Sequence, residues 1–133
     1  MTGACDARVS HGVLPPWARG GFSDPQPRMP HVLGRAGRIA AVLFGYPLRS
    51  PPSPRRSNKI LWVSRGPIET PTALWIRAQR MEGDRPMGAP VGRVLRGGPG
   101  PSYVNLPQVG CWRLTVSWAG RRDVLDLGYS TGT

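Results

Sequence analysis

A chain of 133 residues has room for one domain around one core. Its longest apolar run, residues 39–44, is far short of the roughly 20 residues a membrane helix needs. The formal net charge of +11 comes from 18 basic residues, all arginine except Lys59, against seven acids. Such an excess admits a nucleic acid, an anionic surface or an acidic partner. Two cysteines can make neither a disulfide framework nor, by themselves, a metal site.

The N-terminus is the least regular part. Thr2-Gly3-Ala4-Cys5 sets small residues before a cysteine, as a bacterial lipoprotein cleavage site does, but Thr2 stands where leucine is usual. Too few residues precede Cys5 for the apolar region of an export signal. Either the true start lies upstream, making Cys5 the lipidated first residue of a membrane-anchored protein, or Cys5 is a free cysteine in a disordered tail. A Cys5–Cys111 bridge would tie a floppy terminus to a strand and is not expected. Cys111, next to Trp112, reads as a small packed residue. Prolines and glycines then recur through Leu14-Pro15-Pro16-Trp17, Arg19-Gly20-Gly21-Phe22 and Asp24-Pro25-Gln26-Pro27, and each proline biases its predecessor toward extended backbone. Residues 1–36 therefore read as an extended or partly disordered arm, with Trp17 and Phe22 as its large apolar anchors.

Residues 37–130 read as the folded domain. Residues 37–44 predict a first strand, apolar on both faces and so central. Residues 45–58 predict a loop around Ser50-Pro51-Pro52-Ser53-Pro54-Arg55-Arg56, a polyproline II connector or a ligand for an aromatic groove. Residues 59–65 predict a strand with Ile60 and Trp62 on one face. Residues 73–80 predict another, with Leu74, Ile76 and Ala78 inward and Trp75, Arg77 and Gln79 outward. Residues 81–89 read as a turn region, 91–96 as a short strand and 103–106 as a further one. Residues 110–129 carry the clearest alternation in the chain: Trp112, Leu114, Val116 and Trp118 share one face, Leu125, Leu127 and Tyr129 another, and Ala119-Gly120-Arg121-Arg122 reverses the chain. About seven short strands with no helical period predict an all-β, immunoglobulin-like antiparallel sandwich. Its core is built on Trp62, Leu74, Ile76, Trp112, Leu114, Val116, Trp118 and Leu125.

Asn58-Lys59-Ile60-Leu61-Trp62-Val63-Ser64-Arg65, Leu74-Trp75-Ile76-Arg77-Ala78 and Gly110-Cys111-Trp112-Arg113-Leu114, with upstream Leu14-Pro15-Pro16-Trp17-Ala18 and Ala40-Ala41-Val42-Leu43-Phe44-Gly45, carry a resemblance. The chain resembles a group of small secreted or lipoprotein-like proteins of Gram-positive, actinobacterial-type bacteria that share a Gly-Cys-Trp-x-Leu strand. The resemblance implies an immunoglobulin-like sandwich outside the cytoplasm and implies no activity.

Motifs for chemistry are weak. Ser23, Asp24 and His31 are the residue types of a hydrolase triad, but they lie in the Pro-rich arm with no nucleophile elbow. Glu82 and Asp84 flank Gly83 and read as a solvated turn before they read as an acid pair or cation site. Gly34-Arg35-Ala36-Gly37-Arg38 lacks the lysine and spacing of a phosphate loop. Two Arg-Gly-Gly triplets, at Arg19 and Arg96, are too few for an RGG segment. The basic residues run from Arg8 to Arg122 without clustering, a weaker sign of a nucleic-acid groove than a patch. The reading is a non-catalytic envelope or secreted module with no cofactor and no metal, binding a protein or a glycan through Trp75 and Arg77. A basic binder of nucleic acid or another polyanion is the alternative. Cover of Trp75 by Trp17 or Phe22 of the arm is the bland expectation for that surface.

Overall fold

The computed structural model describes residue 5, residues 8–55 and residues 57–131. Thr2, Gly3 and Ala4 of the cleavage-site reading and Arg56 of the Pro-rich loop lie outside the described residues. Among the described residues a 3-10 turn, Pro16–Ala18, is followed by nine strands: β1 (His31–Leu33), β2 (Ile39–Leu43), β3 (Leu48–Ser50), β4 (Lys59–Ser64), β5 (Leu74–Glu82), β6 (Arg85–Leu95), β7 (Pro101–Tyr103), β8 (Gly110–Trp118) and β9 (Arg121–Thr131). The chain is all-β, a sandwich of a four-stranded sheet, β1-β2-β4-β7, and a five-stranded sheet, β3-β9-β8-β5-β6. The strand pairs are antiparallel except β3 with β9, which run parallel.

The β8–β9 hairpin turns more tightly than the sequence pattern suggested. Trp118 pairs with Arg121, so Ala119 and Gly120 alone reverse the chain. Both have positive φ, 46° and 73°. That is the two-residue turn whose twist matches its strands. Buried and half-buried residues alternate along β8 without exception, and Trp112, Trp118 and Tyr129 are fully enclosed between the sheets. Their polar atoms are paired: Trp112 Nε1 donates to Gln108 O at 2.9 Å and Trp118 Nε1 to Ser64 Oγ at 2.9 Å.

Two strands lie where breakers predicted loops. Residues 81–89 belong to a long hairpin in which Glu82 pairs with Arg85 around Gly83 and Asp84. Pro86 and Pro90 are tolerated because β6 is an edge strand, where a missing N–H breaks no ladder. β3 lies in the predicted 45–58 loop and is held by Asn58, whose buried amide accepts from Arg49 N and donates to Arg49 O, both at 2.8 Å. A buried side chain thus fixes a strand that has no periodicity of its own. The predicted strand at 103–106 lies earlier, as β7.

The sheets share one core, into which β2 sends Ile39, Ala41 and Leu43, β4 sends Ile60 and Trp62, and β5 sends Leu74, Ile76 and Ala78. The opposite face of β2, Ala40 and Val42, is equally buried, because Leu14 and Ala18 of the N-terminal segment pack on it, with Trp17, Phe22, Met29, Leu61 and Val63 around them. This accounts for the doubly apolar character of β2. The segment is not merely extended: it makes a 3-10 turn, bridges Ser10 to His31 and Val13 to Arg28, and ends in β1, which pairs with β2.

The expectation about the cysteines is corrected. Cys5 and Cys111 form a disulfide with Cα atoms 5.9 Å apart, and Cys5 is buried. Cys5 is seated on the sheet, because β8 directs Cys111 outward, away from Trp112. A sulfur in this bond has no valence for the thioether that lipidation at Cys5 would need.

Candidate binding surface

The candidate surface is the outer face of the five-stranded sheet. Leu74, Ile76 and Ala78 take the inner face of β5, so Trp75, Arg77 and Gln79 take the outer one. Register builds the face in rows. One row runs Val94, Trp75, Ser117, Arg122, and the next Gly92, Arg77, Thr115, Val124. Trp75 is 58% exposed and Val94 43%. Beyond its own chain neighbours, no atom of the described residues lies within 4 Å of the place a Cβ on Gly92 would take, so the floor beside Arg77 is open.

The described residues of the N-terminal segment do not cover Trp75. Trp17 and Phe22 lie on the other sheet, where the Arg65 guanidinium sits 5.8 Å from the Trp17 ring and Phe22 stacks on Phe44 at 6.1 Å. The bland expectation for Trp75 is therefore corrected. The doubly apolar β2 offered the segment a dry face, and the outer face of β5 and β8 did not.

At one end of the same face an arginine cluster holds the N-terminal segment down. Asp126, paired across from Arg113, is buried although it belongs to the outer row. Its Oδ1 accepts from Arg113 Nε at 3.2 Å, its Oδ2 from Arg35 Nη2 at 3.2 Å, and Arg8 approaches to 3.9 Å. A carboxylate this buried persists only because it is paired and hydrogen-bonded. Asp123, three residues earlier, accepts from the backbone N–H groups of Ala36, Val124 and Arg38, each at 2.8 Å. It thereby fixes the turn at 34–38 against the free edge of β9.

Many arginines serve loop carbonyls. Arg19 donates to Leu14 O and Pro25 O, Arg49 to Thr131 O, Arg93 to Asn105 O, and Arg121 to Ser64 Oγ and Pro67 O. The planar five-donor fork suits this task as a lysine ammonium does not. These arginines bind protein atoms, and the exposed charge of the outer face rests with Arg77 and Arg122.

The residues weighed for catalysis stay apart. His31 is buried and its Nδ1 donates to Met29 O at 2.7 Å, while Asp24 Oδ1 accepts from Gln26 N at 2.9 Å. Among the described residues no hydrogen bond links Ser23, Asp24 and His31. His11 is exposed and meets the Tyr46 ring edge-on at 5.4 Å. Glu82 and Asp84 are exposed at the tip of the β5–β6 hairpin. Among the described residues no three His, Cys, Asp or Glu side chains form a group that could hold a metal. Burial pushes the Tyr129 phenol well above the usual tyrosine range, against a weaker downward pull from Arg93. Its hydroxyl donates to Val104 O at 2.7 Å, a bond between the two layers of the sandwich.

Sequence reasoning passed over Arg80, Asp123 and Asp126. The alternation that turns Ala78 inward also turns Arg80 inward, and this signal was legible. Nothing local marks the two aspartates, whose partners in the 34–38 turn are 85 to 91 residues away. No protein-family model matches the chain, and neither a curated protein nor a solved structure is significantly similar to it.

Proposed function

We propose that this chain is a non-catalytic interaction module outside the cytoplasm, an immunoglobulin-like sandwich that binds glycan on the outer face of β5, β8 and β9. The observation that carries the reading is Trp75: an indole 58% exposed near the start of a strand paired on both sides, with no described segment of the chain laid over it. An aromatic ring fixed on a sheet offers a flat apolar surface to the C–H face of a sugar ring at little entropic cost. Arg77, Ser117 and Thr115 beside it supply hydrogen bonds to hydroxyl or acidic groups on that sugar. The Cys5–Cys111 disulfide fits an oxidising compartment, and so does the resemblance to small exported proteins of Gram-positive bacteria. The bond lies outside the sheet pair, whereas antibody domains place theirs between the sheets.

The test is retention on a panel of immobilised bacterial polysaccharides, comparing the intact protein with Trp75→Ala. Trp75 is exposed, so the variant keeps its stability to within about 0.5 kcal/mol. Retention of the parent and loss in the variant support the reading. Equal behaviour of the two, or no retention of either, sinks it.

The net charge of +11 favours a second reading, a binder of polyanions. It expects elution from immobilised heparin to move steeply with salt, and the commitment of Arg8, Arg35 and Arg113 to Asp126 weighs against it.

A further inference from the structure

Arg80 lies at one end of the sandwich. Its pairing with Trp112 puts it on the inner face of β5, one step beyond Ala78. Its stem lies along Gly110, where a Cβ would come within 3.3 Å of Arg80 Cδ and where φ is +134°. Glycine at that position leaves the arginine its place. Arg80 Nε is buried and has no hydrogen-bond partner, and among the described residues no side-chain hydrogen bond or ion pair engages the Arg80 guanidinium. A buried donor left unpaired costs about 1–3 kcal/mol, and more when it belongs to a charged group. An orphan of this kind asks for an explanation.

Arg80 lines a shallow cavity of about 590 Å³, a size common for small-molecule sites. The walls are Pro51, Pro52, Leu106, Pro107 and Val109, apolar and three of them fixed in φ by the proline ring. Gln108 adds an amide, and Ser50 Oγ is turned to Leu106 O at 2.7 Å. The lining contains no acidic residue. On the far side of Arg80, a second cleft holds Glu82, Asp84 and Asp126, but none of these carboxylates forms an ion pair with it. Asp126 is already taken by Arg113 and Arg35.

We propose that this cavity binds a carboxylate carried on an apolar group. The Arg80 guanidinium takes the carboxylate, and the five apolar walls take the hydrocarbon next to it. One guanidinium matches one carboxylate in charge and in planar geometry. A phosphate near −2 would call for more donors than the cavity offers. The ligand is a small carboxylic acid or the C-terminus of a peptide with an apolar last residue. The chemistry at Arg80 is the same for both.

The test uses the full disulfide-bonded chain and four probes: octanoate, acetate, a tetrapeptide ending in leucine with a free C-terminus, and its amide. Arginine Nε–H resonances are followed by NMR, the Arg80 signal being the one lost in Arg80→Met. Saturable movement of that signal with octanoate identifies a small acid as ligand. Movement with the free peptide and not the amide identifies a peptide terminus. Arg80→Met keeps the stem and removes an unpaired buried donor, so it folds at least as well as the parent, and it lowers affinity about tenfold or more. Arg77→Met, on the outer face, leaves affinity unchanged. Acetate binding as tightly as octanoate, equal binding by Arg80→Met, or an Arg80 signal that no probe moves overturns the proposal.

Discussion

The Cys5–Cys111 bond closes a segment with a sequence separation of 106 residues, nearly the whole chain. In the chain-entropy treatment, a cross-link over that length removes about 16 cal/mol/K from the unfolded ensemble, about 4.8 kcal/mol at 25 °C. Part of this is offset in the native state. Once the bond is cut, the backbone between Cys5 and the Ser10–His31 bridge is free to fray, and each freed residue regains roughly 1 kcal/mol of conformational entropy while giving up its contacts. The Arg8–Asp126 approach at 3.9 Å holds it little, since Arg8 is 60% exposed. The expected net loss is about 3 kcal/mol. A chain of this length has an unfolding entropy near 0.28 kcal/mol/K, so the midpoint falls by about 10 °C. The assay is thermal unfolding followed by circular dichroism, with and without a phosphine reductant, beside the Cys5→Ser/Cys111→Ser double variant, which matches the reduced parent. A fall below about 3 °C would refute the reasoning, because the cross-link would then hold nothing that the sheets do not already hold. So would titratable thiols in the unreduced, denatured parent.

Two further predictions rest on single buried groups. Asp123→Ala leaves the N–H groups of Ala36, Arg38 and Val124 without their acceptor and costs about 3 kcal/mol in urea unfolding; a loss under 1 kcal/mol would mean that the 34–38 turn is held by other contacts. Tyr129 gives a pH dependence. Its folded pKa is raised above the unfolded value near 10, so its contribution is complete below about pH 10 and is lost as pH rises beyond it, by up to about 1.4 kcal/mol per unit. Urea midpoints at pH 9 and pH 11 should diverge in the parent and much less in Tyr129→Phe, and equal slopes in the two would count against a protonated, buried phenol.

The arginine content shows how far composition can mislead. An excess of arginine over acids reads as charge awaiting a polyanion. In the folded chain, Arg19, Arg49, Arg93 and Arg121 tie loops to one another through carbonyl oxygens. Carbonyls leave no trace in a count of acids, so the pattern becomes visible only when the loops come together.

Alternation along residues 110–129 by itself determined the central hairpin and its buried tryptophans, and the succession of short strands determined the all-β class, because period-2 burial is a local property of the backbone. Alternation along residues 73–80 placed Trp75 and Arg77 on one outer face, though not what lies over them. Three things needed the third dimension: the sheet chosen by the N-terminal segment, the bond between Cys5 and Cys111, and the cavity at Arg80. Each depends on which remote surface offers an apolar face, a sulfur or a missing partner. Contacts between residues scores of positions apart are decided by packing of the whole chain, which no local window contains.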